Sequence, residues 1–205
     1  MDSGRRYDRG RNKIPPGSGN GDILLTDATY GDFELTLEVK PDWGVCSGLF
    51  LRSTEKGQCY QVMIDYLEQG NIGELYREGL DGRTNRTYQL QGIYRDAEKK
   101  ILQHTSAKPV RKNELDLGGT LQFPVADWSR IWRSHDWNTI RASIKGNPPR
   151  ITTHLNEHFM TQYTSDQKFE GTLENRGFLA VQVHGGKAWP TGAKIRFRNL
   201  RLKGL

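Results

Sequence analysis

The side chains with the most capacity for chemistry fall on short alternating stretches of this chain. Successive side chains of a strand point to opposite faces, so the apolar set of each stretch marks a core and the rest marks an outer surface. With Leu49 and Leu51 inward, Phe50 and Arg52 point out; with Val62 and Ile64 inward, Gln61, Met63 and Asp65 point out. Leu75 leaves Glu74 and Tyr76 outside, and Leu179-Val181-Val183 leaves Ala180, Gln182 and His184. If these strands are neighbours, one face collects Arg52, Gln61, Asp65, Glu74, Tyr76, Gln182 and His184. Imidazole and carboxylates supply acid–base groups, amides and a guanidinium supply paired hydrogen bonds, and tyrosine supplies a platform, a set that suits a sugar. The same pattern equally describes a solvated face, because a half-exposed antiparallel sheet always has a polar side.

Other motifs carry less. His154 and His158 are four apart, but they follow Pro148-Pro149 in strand-like alternation, and only a helix would put both on one face for zinc. Glu114-Leu115-Asp116 matches part of an acidic strand motif of laminarinase-type glycosidases, yet Gly119 stands where a further carboxylate is needed for a two-carboxylate mechanism. Asn85-Arg86-Thr87 spells a glycosylation sequon, and Gly118-Gly119 and Gly185-Gly186 are turn signals without a following Lys-Ser/Thr.

The elements that must position these residues are strands. Asp22 to Thr26 and Asp32 to Lys40 alternate, with Phe33, Leu35, Leu37 and Val39 on one buried face. Gly48 to Arg52, Tyr60 to Tyr66 and Ile72 to Tyr76 form a β-meander. Alternation fades from Arg77 to His135, including the charged Tyr94 to Lys100, and reads as a long insertion over an edge or face of a sandwich, with short helical turns. It resumes at Trp137 to Lys145, Arg150 to Asn156, Gly177 to His184 and Lys194 to Leu202. Two packed antiparallel sheets are the economical all-β architecture. The chain reads as a basic arm over 1–21, followed by one β-sandwich domain over 22–205 with its insertion at about 77–135.

Composition agrees with one large β domain: 205 residues, 35% hydrophobic and 10% aromatic, punctuated by 23 glycines and 8 prolines. The net charge of +6 owes much to Arg5, Arg6, Arg9, Arg11 and Lys13 in the opening stretch. No helix-turn-helix, zinc-finger or RNA-binding signature accompanies it, which argues against a nucleic-acid partner. No apolar run approaches the length of a membrane span, so no membrane insertion is expected. Cys46 and Cys59 lie at opposite ends of neighbouring antiparallel strands, too far apart to bond, and are expected as free thiols.

Several blocks in order resemble the 3-keto-disaccharide hydrolase family. They are Tyr30-Gly31-Asp32-Phe33-Glu34-Leu35, Ser47 to Arg52, Tyr60 to Asp65, Asp136-Trp137-Asn138, Val181 to Gly186 and Arg196 to Leu200. The chain departs from many members at Cys46, where Asn is common, at Gln61, where Glu is common, and at Asn156-Glu157, where Asn-Gly is common. The resemblance implies a concanavalin A-like jelly roll. It also implies cleavage of glycosides already oxidised at the 3-hydroxyl, by elimination followed by hydration or as net hydrolysis. On that reading His184 is the general base or a metal ligand, Glu74 and Asp65 are acid/base or ligand carboxylates, and Arg52 is the enolate or sugar-oxygen partner. Gln61, Tyr76, Gln182 and Trp137 bind substrate, and a divalent metal ion on His184 and Glu74 is an optional cofactor. A carbohydrate is the expected partner, a homo-oligomer is allowed, and a bacterial periplasmic or secreted location is expected. Two other classes stay open: a carbohydrate-binding module using an open groove with Trp137 or Trp189, and a structural partner domain with that face covered.

Overall fold

A computed structural model of the protein describes residues 22–110, 117–118, 120–165, 175–185 and 189–205. The opening stretch read as an arm, and Glu114 with Asp116, lie outside the described residues. In chain order the strands are β1 (Asp22–Tyr30), β2 (Phe33–Pro41), β3 (Ser47–Ser53), β4 (Cys59–Ile64), β5 (Ile72–Glu78), β6 (Tyr88–Tyr94), β7 (Leu102–Pro109) and β8 (Thr120–Leu121). A short helix α1 (Trp128–Ile131) precedes β9 (Asn138–Lys145), β10 (Arg150–Leu155), β11 (His158–Thr164), β12 (Gly177–Val183) and β13 (Ile195–Gly204). Strands β1-β12-β3-β4-β5 form one antiparallel sheet, β13-β2-β9-β10-β11-β8 form a second, and β6-β7 form a separate hairpin. The two large sheets pack face to face as a jelly-roll β-sandwich.

Period-2 alternation explains the packing. Phe33, Leu35, Leu37 and Val39 of β2, Ile140, Ala142 and Ile144 of β9, and Leu49, Leu51, Val62, Ile64 and Leu75 of the first sheet are all within 1% of complete burial. Each such Val, Leu, Ile or Phe side chain contributes roughly 1.5–3 kcal/mol by leaving water. The sheets approach closely at Gly73, which takes φ +89 and leaves room for Met160, while the Thr153 hydroxyl donates to the Gly73 carbonyl at 2.6 Å.

Strand β11 lies beyond the stretch, Arg150 to Asn156, that alternation marks as strand. It pairs with β10 through the two-residue turn Asn156-Glu157, both at positive φ, as the twist of a tight hairpin requires. His154 and His158 are therefore strand residues, and they are not cross-strand partners: Leu155 pairs with His158 and His154 with Phe159.

The 77–135 segment begins along the free edge of β5, where the Asn85 amide donates to the Leu75 carbonyl and Tyr76 bridges to Thr84. It continues as the β6-β7 hairpin, whose charged turn is held by Asp96 accepting from the Lys100 and Ile101 amides. Helix α1 then docks on the hairpin through fully buried Trp128, whose indole N–H donates to Thr105 Oγ1 at 2.9 Å and whose ring stacks on Trp132. Among the described residues no helix is long and apolar enough to cross a membrane.

Candidate functional site

Strand order β12-β3-β4-β5 makes neighbours of the strands whose outward residues carry the polar groups. Gln182 pairs with Gly48, Gly48 with Met63, Phe50 with Gln61, and Gln61 with Tyr76, so the rows of one face run across all of them. At one end of this face the backbone N–H of His184 donates to the Cys46 carbonyl, closing β12 against the approach to β3. A cavity of about 380 Å³ opens there, lined by Cys46, Asp65, Glu68, Arg86, His184 and Trp189 together with the 67–70 loop and Gly44. Gly44, at φ +97, lets Pro190 close over it, where a Cβ would meet the ring at 2.4 Å, beside Trp189, which lines the cavity.

Asp65 is the centre of the cavity's electrostatics. Its Oδ2 accepts from Arg86 Nη2 at 2.7 Å and its Oδ1 accepts from the Cys46 thiol at 3.1 Å. Burial nevertheless pushes its carboxyl above the usual carboxylate range, with Cys46, Arg86 and His184 pulling the other way. Burial also pushes the Cys46 thiol well up, and the Asp65 charge adds to the effect, so Cys46 is a protonated donor here and not a nucleophile. Further along the face, burial raises the Glu78 carboxyl, which His184 lies close enough to oppose. The cavity thus holds a carboxyl drawn toward protonation, a fixed guanidinium and an imidazole within one wall.

The sequence-derived residues do not all meet there. Asp65 and His184 line the cavity. Glu74 does not: it is completely buried behind it and accepts from Asn71 Nδ2, the Thr87 amide and the Thr87 hydroxyl at 2.6–2.8 Å. Gln61 and Gln182 share the face but are spent on each other, Gln61 Nε2 donating to Gln182 Oε1 at 3.1 Å across the bare backbone of Gly48. Tyr76 stays half-buried on the face beside Gln61, with burial raising its phenol.

Two residues belong elsewhere. Arg52, the penultimate residue of β3, takes φ +50 and turns its guanidinium into the loops at the far end of the sheet, donating to the carbonyls of Gly31 and Gly146 and pairing with Asp32. Six residues of strand separate it from Cys46, on the order of 20 Å, so it is a structural clamp between sheets and not a partner of His184. Trp137 immediately precedes β9 of the opposite sheet, and Arg198 lies over its ring at 4.0 Å.

The residues that sequence reading did not place in the site have uneven signals. Cys46 continues the outward series of Gly48 and Phe50, and Glu78 continues that of Glu74 and Tyr76, so alternation alone reaches both. Arg86 comes from the insertion, where no period marks it. Among the described residues no group of three or more His, Cys, Asp or Glu could hold a metal ion. With Glu74 committed to Thr87 and Asn71, the pairing of His184 with Glu74 around a metal does not fit this geometry.

No curated protein matches the chain. Among solved structures, the CBM66 carbohydrate-binding module from Bacillus subtilis superposes with a TM-score of 0.51 at 11% identity, covering 91% of this chain and 84% of that one. A glycosyl hydrolase-like protein from Parabacteroides distasonis superposes at 0.47 with 18% identity, covering 90% and 83%. Such identities speak to the fold alone. The sequence itself goes further: a family model matches residues 8–203, and the chain belongs to the 3-keto-alpha-glucoside-1,2-lyase-like domain family.

Proposed function

We propose that the protein cleaves 3-keto-glycosides in the cavity between His184, Asp65 and Arg86. Its family supports a carbohydrate-related function, and the observation that carries the finer reading is the meeting of an imidazole, a carboxyl of raised pKa and a fixed guanidinium in one cavity beside Trp189. A ketone at carbon 3 acidifies the hydrogen on carbon 2. His184 takes that proton, the electron pair moves into the ketone as an enolate, and Arg86 stabilises the developing negative oxygen by hydrogen bonding and charge. When the enolate collapses, the carbon 1–oxygen bond breaks and the Asp65 carboxyl gives its proton to the departing aglycone oxygen. The product is an enone, and addition of water across its double bond completes net hydrolysis. Trp189 offers the sugar an apolar ring surface.

The test is incubation with an aryl 3-keto-glucoside beside its unoxidised counterpart. Release of the aglycone from the keto sugar alone supports the reading, as does deuterium at carbon 2 of sugar recovered from heavy water. A second reading, a sugar-binding module without turnover, is favoured by the withdrawal of Glu74 from the cavity. Sugar binding with no release from any 3-keto-glycoside decides for it.

A further inference from the structure

Glu74 is a fully buried carboxylate that touches neither the cavity nor any cation, yet it stands directly behind both members of the ion pair that faces the cavity. On one side its Oε2 accepts from Asn71 Nδ2 at 2.6 Å, and the carbonyl of Asn71 accepts the Asp65 amide at 2.9 Å. On the other side Oε2 accepts the Thr87 amide at 2.8 Å and Oε1 accepts the Thr87 hydroxyl at 2.7 Å. Thr87 directly follows Arg86, whose guanidinium holds Asp65 from a stretch with little regular structure of its own.

We infer that Glu74 is a positioning residue: it ties the Arg86-Thr87 backbone to the Asn71 loop and so fixes the Asp65–Arg86 pair across the cavity wall. The inference rests on the cavity reading above for its catalytic meaning, but not for its geometry. The group has an uncommon makeup for a purely structural contact, because a buried carboxylate costs far more to desolvate than an amide would. What the carboxylate has that an amide lacks is acceptor capacity on both oxygens, and here the Asn71 amide, the Thr87 hydroxyl and the backbone N–H groups of Thr87 and Tyr88 converge on it. Besides Thr87 and Asn71, the titratable group against it is Tyr88, whose hydroxyl donates to the Ile72 carbonyl. Burial pushes the Glu74 carboxyl up to about 7, as expected for an anion held by neutral donors alone.

Glu74→Gln replaces one acceptor oxygen by an NH2 that must face at least one of those donors, so the Thr87 or Asn71 tether is lost with little change of volume. The readout is the titration midpoint of the Asp65 carboxyl, followed by carbon-13 NMR of the labelled, full-length protein. Arg86→Ala removes a cation in contact with Asp65 and shifts that midpoint upward by about one unit. Glu74→Gln shifts it in the same direction, by about half a unit or more, and the double variant goes no further than Arg86→Ala, since Glu74 acts through Arg86. Thr87→Val, which removes only the hydroxyl donor, gives a smaller shift of the same sign and serves if Glu74→Gln does not fold. An unchanged Asp65 midpoint in folded Glu74→Gln and Thr87→Val overturns the inference, as does full additivity in the double variant. The measurement needs no sugar: a shift in a protein inert toward 3-keto-glycosides upholds the positioning role and overturns the catalytic reading instead.

Discussion

Asp65 and Arg86 meet at 2.7 Å although they come from different parts of the fold, Asp65 from the end of a sandwich strand and Arg86 from the insertion that runs along the sheet edge. The Asp65 side chain is 10% exposed and that of Arg86 is 42% exposed. The carboxylate is thus held deep while part of the guanidinium stays exposed where Arg86 lines the cavity.

Removal of either partner is expected to cost turnover more than binding. Asp65→Asn keeps the shape but cannot give a proton, and Arg86→Ala leaves the developing oxyanion without its cation. Each lowers kcat on 3-keto-glycosides by about a hundredfold or more. His184→Ala does the same, and circular dichroism should show all three variants folded. Unchanged kcat in all of them removes the assignment.

Arg52 has a different expectation. Its guanidinium holds two loop carbonyls and Asp32 while almost fully buried. Arg52→Ala strands those groups and lowers stability by about 3 kcal/mol, read as a shift of the urea midpoint. Affinity for sugar stays as it was, because the clamp lies at the other end of β3 from the cavity.

Glu74 links stability to pH with a definite sign. Burial pushes its carboxyl in the folded protein up to about 7, from an ordinary value of 4.5. Between those values the folded state binds the proton that the unfolded chain releases, so stability falls as pH rises from about 4.5 to 7 and is fully lowered above that window. The size is about 2–3 kcal/mol, and the raised Asp65 and Glu78 carboxyls act in the same direction. Denaturant melts at pH 5 and pH 8 measure it. In Glu74→Gln the difference should shrink by most of that amount, and an unaltered difference would show that Glu74 is not its source.

The Asn156-Glu157 turn invites a stabilising change. Glu157 sits at φ +67, where an ordinary side chain is strained and glycine is not. Glu157→Gly is expected to raise stability by about 1 kcal/mol and the melting temperature with it. A lower melting temperature would mean that the side chain makes a contact outweighing the strain.

The two tryptophans should separate. Trp189→Ala removes a cavity wall and weakens sugar binding by about fivefold, the scale of a lost aromatic contact of about 1 kcal/mol. Trp137→Ala removes only the surface stacking with Arg198 and leaves calorimetric sugar affinity unchanged.

The free state of Cys46 and Cys59, the alternating core of β2 and the composition of the outer face were legible in the sequence. All three follow from strand periodicity, a property local to a few residues. Phe33, Leu35, Leu37 and Val39 announce their face because burial on one side forces a period of two. The same rule put Asp65 and His184 on a common surface, and the adjacency of β12, β3, β4 and β5 made that surface real. What periodicity could not supply was where a long side chain goes after it leaves the backbone. Arg52 alternates outward, yet a positive φ and loop carbonyls at the strand end draw its guanidinium away. Glu74 alternates outward too, but the insertion folds over it and turns a surface carboxylate into a buried one. Arg86 has no period to betray it, since its place depends on hydrogen bonds between the 84–88 stretch and the edge of β5. Local pattern determines faces because it acts within one strand; tertiary contact decides which members of a face meet, because that depends on what covers each end of the sheet.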